Sequence, residues 1–319
     1  MKSFRTNFPE LKLGLSISHT DSILCMGSCF AEKIFHKLNF FQFDALESPF
    51  GISFNPIVLA NQLDKIIENK RYSEHDLYFH DELYHSFDHH SNFSHTDANI
   101  CINKINEYIS QAHTFFIKSN YLIITFGSAH FYRLKSSKDI VSNCHKVPQN
   151  EFIKSMSTTQ EIVDTWSKTI EKLKDSLPNI KIIFSISPVR YLRDGFIENN
   201  RSKASLILAI ASLTEMFQHA HYFPAYEIFM DDLRDYRFTK NDRVHPSDEA
   251  FDYIWDYFED GFLLNETMTI NSEIESLQLQ IGHRPIHPKS PSHIELLKKI
   301  EIEKKILALK FPQVKFNWF

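Results

Sequence analysis

The chain has 319 residues, 43% of them hydrophobic, and a formal net charge of -5, so it can bury a large core. No dense lysine and arginine cluster occurs, which argues against a nucleic-acid-binding protein. The first residues lack the apolar core of a signal peptide, and the longest apolar runs are too short to span a membrane. We therefore expect a cytoplasmic protein with no membrane span.

Short apolar runs alternate with segments of helical periodicity, which is typical of an α/β fold. The predicted strands, which have the composition of buried parallel strands, cover residues 22–26, 121–126, 181–187 and 221–228. The predicted helices cover residues 30–38, 158–177, 202–220, 248–260 and about 293–309. The segment 70–115 alternates aromatic and polar residues and predicts an inserted hairpin or edge strands before a helix.

The chain shows no internal repeat and no low-complexity linker, which favours one main domain. From residue 265 onward it becomes polar and rich in prolines before the last helix. We therefore divide it into a domain over 1–264 and a helical C-terminal extension over 265–319 that packs on the domain. An oligomer contact through the last helix, with a scaffold role, is the alternative, and the oligomeric state stays open.

The first strand leads into an unusual turn. In "ILCMGSCFAEKIF", residues 23–35, Gly27 is followed by Ser28 and Cys29, and the helical pattern begins directly afterwards. The start of a helix favours a thiolate, so we expect a lowered pKa for Cys29. The four cysteines, at positions 25, 29, 101 and 144, form no CxxC pair and indicate free thiols in a reducing compartment.

Three of the seven glycines, Gly27, Gly51 and Gly127, lie in turns or directly after apolar runs. In open parallel sheets the ligand crevice lies outside the carboxyl ends of the strands. A glycine there lets the backbone approach a ligand, although any sharp exit from a strand also favours glycine. These positions therefore predict a binding edge.

Near the other end of the chain, Asp242 precedes His245 by three residues in "NDRVHPSDEAFDYIW". A carboxylate at this spacing can hold the Nδ1–H group of the imidazole while Nε2 faces a nucleophile. We therefore expect the His245 ring to approach Cys29 within hydrogen-bond reach.

The stretch "MGSCFAEKI" resembles the signature of the GSCFA domain family, which is grouped with the SGNH or GDSL-like hydrolases. Similar stretches include "SPFGISFNP", "NCHKVP", "SPVRYLRDGFIENNRSKASL" and "DRVHPSDEAFDYIW", and the resemblance covers about residues 20 to 260. It implies a three-layer α/β/α fold around a parallel five-stranded, flavodoxin-like sheet. It also implies an active site at the carboxyl edge of that sheet.

The family pattern assigns roles to individual residues. The first block of SGNH hydrolases, Gly-Asp-Ser, puts Cys29 in the nucleophile position, and a one-residue bulge would put Ser28 there instead. The last block matches Asp242 and His245. The third block, Gly-x-Asn-Asp, matches residues 127–130, so Ala129 stands where the oxyanion-binding asparagine is expected.

The second block matches Gly51, whose N–H group would hold the oxyanion together with that of Cys29. Since the asparagine is missing, a histidine or another amide would have to replace it. The predicted oxyanion- and substrate-binding residues are Gly27, Gly51, Asn55, His90, Gly127, His130, His145 and Arg190. Arg190 would suit an anionic ligand.

These residues predict covalent acyl transfer by a Cys/Ser-His-Asp triad. The resemblance suggests an ester hydrolase or acyltransferase acting on an O-acetyl ester, carried by a carbohydrate or another small molecule. The alternative is a non-catalytic protein that binds such a molecule in the same crevice.

A metal site is a further alternative, because histidines crowd one segment and Cys144 and His145 follow downstream. The histidines are His80, His85, His89, His90 and His95. No HExxH or CxxC spacing occurs, so we expect neither a metal nor another cofactor.

Overall fold

The protein is described by a computed structural model covering residues 6–11 and 14–318. Its helices and strands are, in chain order, β1 (Ser22–Gly27), α1 (Cys29–Phe40), β2 (Asp44–Glu47), α2 (Pro56–Ile67), β3 (Tyr78–His80), β4 (Leu83–His85), α3 (Ala98–Phe116), β5 (Tyr121–Phe126), β6 (His130–Leu134), β7 (Ile140–Val141), β8 (Phe152–Met156), α4 (Thr159–Ser176), β9 (Lys181–Ile186), α5 (Gly195–Met216), β10 (Ala220–Phe223), α6 (Ala225–Glu227), α7 (Asp248–Phe262), α8 (Asn265–Ile281) and α9 (Pro291–Lys310). A π-helical turn, Ile228–Leu233, follows α6.

The central sheet has five parallel strands in the order β10-β9-β5-β1-β2. Numbered by their place in the sheet along the chain, the strands run 2-1-3-4-5, the flavodoxin-like order. The predicted fold class is therefore confirmed. The order reverses beside β1, so the turn after this strand lies at the switch point where such folds bind ligands.

Two layers of helices cover the sheet because its strands are apolar on both faces. Leu24 and Met26 of β1 pack into the cluster that holds Trp166 of α4, with residues of α2, α3 and α5. Ile23 and Cys25 point the other way, into the cluster built with α1, α7 and α8. The alternation along β1 thus places one helical layer on each face.

Helices α1 and α7 lie side by side and run in the same direction. Lys33 contacts Asp248 at 2.8 Å, and Lys37 contacts Asp252 at 2.9 Å. The rings of Phe30 and Phe251 meet edge to face. Because the pairing is parallel, the N-termini of both helices lie at the same edge of the sheet.

Several elements differ from the sequence prediction. The strand predicted over 221–228 ends at Phe223, because Pro224 stops the ladder and the chain then coils into α6. The inserted hairpin is β3 paired with β4. Strand β2, helices α2 and α8 and the small antiparallel sheet β7-β6-β8 were not predicted, although α2 and α8 bury apolar residues at helical spacing.

Helix α8 follows α7 directly and buries Ile270 and Ile274 against the layer formed by α1 and α7. Helix α9 packs on α8 through Leu277, Ile300 and Leu307. The boundary at residue 264 stays a prediction. No helix within the described ranges is long and apolar enough to cross a membrane.

We predict that Gly27→Ala destabilises the fold by at least about 3 kcal/mol. Gly27 has φ +137°, and a Cβ atom there would lie 2.3 Å from the carbonyl oxygen of Thr125. Gly195→Ala is the control, because Gly195 also has a positive φ of +85° but open space around its Cα. Its cost should be only about 1 to 2 kcal/mol. Urea unfolding measures both, and equal losses would contradict the close-approach argument.

Candidate active site

The turn after β1 is built on a close approach of two backbones. Because Gly27 has no side chain, the backbone of Thr125 on β5 packs against it, and Ser28 N–H donates to Thr125 O at 3.1 Å. The Gly27 carbonyl accepts from Ser53 N–H at 2.9 Å. Gly27 is therefore needed for strand packing, a role separate from the ligand contact predicted for it.

Ser28 is the N-cap of α1. Its Oγ accepts from the N–H group of Phe30 at 3.3 Å, and the residue is only 1% exposed. A hydroxyl used in this way satisfies one of the free donors at the helix start. The hydroxyl oxygen of Ser28 is thus buried and hydrogen-bonded. The next side chain, Cys29, is partly exposed.

Cys29 is the first residue of α1, partly exposed and in the free thiol form. Burial and the nearby Glu32 raise its pKa, and they outweigh the opposing influence of Lys203, of the residue's own N–H group and of Lys33. The expectation of a lowered pKa is therefore wrong: desolvation exceeds the benefit of the helix terminus.

Asp242 and His245 form the hydrogen-bonded pair that the sequence predicts. The Nδ1–H group of His245 donates to Asp242 Oδ2 at 2.6 Å, while Asp242 Oδ1 accepts from the N–H groups of Val244 and His245. These hydrogen bonds lower the pKa of Asp242 to about 2. The carboxylate is thus charged at neutral pH and fixes the imidazole, whose Nε2 has no hydrogen-bond partner among the described residues.

The helix pair brings His245 and Cys29 to the same edge of the sheet. His245 precedes α7 by three residues, and Asp248 at the start of α7 contacts Lys33, one turn after Cys29. Lys240, from the loop that carries His245, also reaches Asp248 at 3.4 Å. Both residues are described, and no hydrogen bond joins the thiol to His245 in this structure. The expected direct contact is not formed.

Lys203 lies inside the site and was missed by the sequence analysis. It is only 2% exposed, and its Nζ donates to the carbonyl oxygens of Gly127 at 2.9 Å and Ser187 at 2.6 Å. These carbonyls lie just past the ends of β5 and β9, next to the turn after β1. Burial lowers the pKa of Lys203 to about 7, while the charges of Cys29 and Glu227 oppose the shift.

A signal for Lys203 was present in the sequence. Lys203 shares the buried face of α5 with Leu206, Ile210 and Leu213, at helical spacing. A lysine on such a face is seldom buried without a role that compensates for the cost. The sequence analysis overlooked this lysine, because the apolar residues alone were enough to predict the helix.

Gly51 lies close to the turn after β1 but does not offer a free N–H group. Its φ is +74°, a Cβ there would lie 2.7 Å from His90 Cβ, and its N–H donates to Ser48 O at 3.2 Å. Gly51 therefore lets the His90 loop pack closely. A small cavity of about 30 Å³ separates Gly51 from Gly27, with room for about one water-sized group.

Asn55 has no free amide for an oxyanion. Its Oδ1 caps α2, and its Nδ2 donates to Ala129 O and Ser157 Oγ. Ala129 is fully buried, with its N–H donating to Ser202 Oγ at 2.8 Å. Ala129, which stands where the asparagine is expected, therefore lies in the core. Asn55 uses its side-chain hydrogen bonds to cap α2 and to hold the backbone of Ala129.

Gly127 is also a packing residue, because a Cβ there would lie 2.8 Å from the ring of Phe54. Its carbonyl nevertheless holds Lys203.

The predicted histidines lie apart from the Cys29 turn or have other contacts. His130 Nε2 lies 3.7 Å from Asp194. His145 is 5% exposed, bonded through Nε2 to Ser86 O, and burial lowers its pKa to about 4. His90 borders Gly51, and its Nδ1 accepts from the N–H group of Asn92 at 3.4 Å.

Arg190 joins the site through the His245 loop. Its guanidinium donates to Arg243 O, two residues before His245, and lies against the ring of Tyr236. Of the predicted binding residues, Arg190 is therefore the one linked directly to the Asp242 and His245 loop.

Within the part of the chain that the structure describes, no group of three or more His, Cys, Asp or Glu side chains is arranged to hold a metal ion. The histidines of the 80–95 segment are instead engaged locally. His85, for example, contacts Ser94 Oγ and the His80 carbonyl, and His89 packs between Phe50 and Tyr72.

Comparison with known proteins gives a family and a distant structural neighbour. The model of the GSCFA family matches residues 22–258. A crystal structure from Bacteroides fragilis, described as a "putative acylhydrolase", has a TM-score of 0.39 and 12% identity, covering 82% of this chain and 92% of that chain. No curated protein matches the chain in sequence.

We predict that iodoacetamide labels Cys29 slowly at pH 7 and faster as the pH rises beyond 9. The raised pKa keeps the thiol protonated at neutral pH, and only the thiolate reacts. Peptide mapping by mass spectrometry measures the rate between pH 7 and 10. Cys25 is the control, because it is fully buried in β1 and should stay unlabelled. A rate for Cys29 that is already maximal at pH 7 would show that its pKa is lowered.

Lys203 should make stability depend on pH. Its pKa is about 7 in the folded protein and about 10.4 in the unfolded chain, so between these values the unfolded chain binds more protons. Stability contributed by this group therefore rises with pH. From pH 7 to 8 the wild type should gain roughly 1 kcal/mol relative to Lys203→Met. Denaturant unfolding at both pH values measures the difference, and identical pH dependence would refute the shifted pKa.

Proposed function

The chain belongs to the GSCFA family, and from this we propose that it is an ester hydrolase or acyltransferase of the SGNH type. Cys29 is the nucleophile, His245 the general base and Asp242 the residue that orients the base. The sheet order and the position of the turn at the switch point support this proposal.

The observation that carries the proposal is the hydrogen bond between His245 and Asp242. A charged carboxylate that accepts from Nδ1–H leaves the lone pair on Nε2, which is the state required of a general base. The parallel pairing of α1 and α7 holds this base at the edge of the sheet where Cys29 begins α1.

In the first half of the reaction, His245 takes the proton of the Cys29 thiol, and the sulfur attacks the ester carbonyl. The tetrahedral oxyanion is stabilised by the Cys29 N–H group and the start of α1. His245 then gives its proton to the departing alcohol, which leaves a thioester on Cys29. Since no direct thiol–imidazole contact exists in this structure, the His245 loop must move toward Cys29 when substrate binds.

In the second half, water or an acceptor alcohol attacks the thioester with His245 again as base. Water yields a hydrolase, and an alcohol yields an acyltransferase. The carboxylic acid or new ester leaves, and the Cys29 thiol is restored.

The positive charge of Lys203 favours the thiolate form of Cys29. Two N–H groups of Lys203 are held by backbone carbonyls, so Nζ has a fixed position beside the turn and carries a charge when it is protonated. A cation there stabilises the thiolate at the moment of attack, which offsets part of the desolvation that raises the thiol pKa. The fixed geometry requires no reorganisation during the reaction.

For the substrate we propose an O-acetyl ester of a carbohydrate or another small molecule. The acetyl class follows from the family to which the chain belongs. The alcohol portion lies next to His245, which protonates the leaving oxygen.

A second candidate function is the binding of such a molecule without turnover. It is favoured by the raised pKa of Cys29 and by the absence of a thiol–imidazole hydrogen bond. Gly51 N–H and the Asn55 amide are also engaged within the fold and stabilise no oxyanion.

Acylation by 4-nitrophenyl acetate separates the two functions. We expect mass spectrometry to find an acetyl group on Cys29, and Cys29→Ala to abolish both the adduct and turnover. Cys144→Ala is the matched control, because Cys144 is also a partly exposed free thiol, and it should keep both. Ser28→Ala should lose about 1 kcal/mol of stability as a cap while keeping the adduct. An adduct on Ser28 would move the nucleophile, and no adduct in folded protein would favour binding alone.

Asp242→Asn should slow the hydrolysis of the same ester by a factor on the order of 10² to 10⁴. The asparagine oxygen can still accept from the backbone N–H groups, so the loop keeps its shape while the imidazole loses its charged partner. Asp175→Asn is the control, since that carboxylate is exposed near the end of α4. Steady-state kinetics measures both, and equal rates would remove Asp242 from the mechanism.

A further inference from the structure

An arginine-lined cleft opens beside the His245 loop. It has a volume of about 260 Å³ and is bordered by Arg190, Arg234 and Tyr236, with Thr239 at one side. Thr239 forms a β-bridge with Pro246, the residue after His245. The cleft is therefore continuous with the loop that carries the general base.

The cleft has positively charged side chains, although the whole chain has a negative net charge. The net charge of the protein is -5, yet neither Arg190 nor Arg234 forms an ion pair with a carboxylate anywhere in 6–11 or 14–318. Asp235, the acidic residue at the cleft, is already engaged by Arg237 through its side chain and backbone N–H. Two guanidinium groups are thus left without a counter-charge.

Arg190 is held in place for binding. Its guanidinium lies over the rings of Tyr236 and Phe196, and one terminal nitrogen donates to Arg243 O. Its Nε is buried without any hydrogen-bond partner. Its other terminal nitrogen, Nη1, has no hydrogen-bond partner among the described residues, and arginine matches the paired oxygens of carboxylates and phosphates.

We propose that this cleft binds an anionic group, a phosphate or a carboxylate, on the alcohol portion of the substrate. The inference rests on the proposed function, because His245 protonates the leaving oxygen and the alcohol portion must therefore lie beside it. The substrate class is then an acetyl ester of a phosphorylated or acidic alcohol, which includes acidic sugars. Hydrolysis with one water yields acetate and the free anionic alcohol.

The kinetic test compares matched esters. We expect kcat/KM to be at least tenfold higher for the acetate ester of glycerol phosphate, or for that of 3-hydroxypropanoate, than for the acetate ester of glycerol. The first two probes distinguish phosphate from carboxylate. Arg190→Gln and Arg234→Gln should each lower this preference several-fold, whereas Arg284→Gln, on an exposed distant loop, should leave it intact. Equal kcat/KM values for charged and neutral esters would overturn the proposal.

A binding measurement keeps the cleft testable without turnover. Calorimetry with glycerol phosphate, 3-hydroxypropanoate and glycerol uses the alcohols themselves, so it works on Cys29→Ala protein. We expect an anion to bind, with an affinity that falls with salt and falls at least tenfold in Arg234→Gln. Anion binding without esterase activity would refute the proposed function but retain the cleft. Esterase activity with no anion binding would refute the cleft alone.

Discussion

The close approach of β1 and β5 at Gly27 is the constraint on which the site depends. Because no Cβ fits between Gly27 and the Thr125 carbonyl, the two strands end at the same level and Ser28 is bonded to β5. That bond sets the position of the helix cap, and the cap places Cys29 at the first turn of α1. A single missing side chain thus fixes Cys29 relative to the sheet.

The same edge contains a buried charge that would ordinarily destabilise the protein. The Lys203 ammonium group lies 5.2 Å from the centre of the Tyr226 ring, but removing such a group from water is costly. Two backbone carbonyls and the nearby Glu227 offset part of that cost. A buried lysine whose charge acts on a cysteine, and whose pKa is strongly lowered, is typical of a functional site.

The Asp242–His245 pair is held in place differently from Cys29. Cys29 is partly exposed but belongs to helix α1, whose cap is bonded to β5. His245 and Asp242 instead lie on an exposed loop held by Lys240, by the start of α7 and by Arg190. A loop held at a few points can move by a small distance at little cost, since it buries few apolar contacts. The separation between thiol and imidazole is therefore consistent with a site that closes around its substrate.

The residues by themselves determined the alternation of strands and helices and the Asp242–His245 pair, and the resemblance to the GSCFA family supplied the three layers and the sheet order. Apolar strands, helical periodicity and a three-residue spacing are local properties, so each can be recognised within a short stretch of the sequence. Tertiary structure decided the rest: the raised pKa of Cys29, the engagement of Gly51 and Asn55, and the position of Lys203 beside the turn. These depend on burial and on hydrogen-bond partners distant in the chain, such as Gly127 and Ser187 for Lys203. No local pattern encodes how deeply a side chain is desolvated or which distant carbonyl it meets.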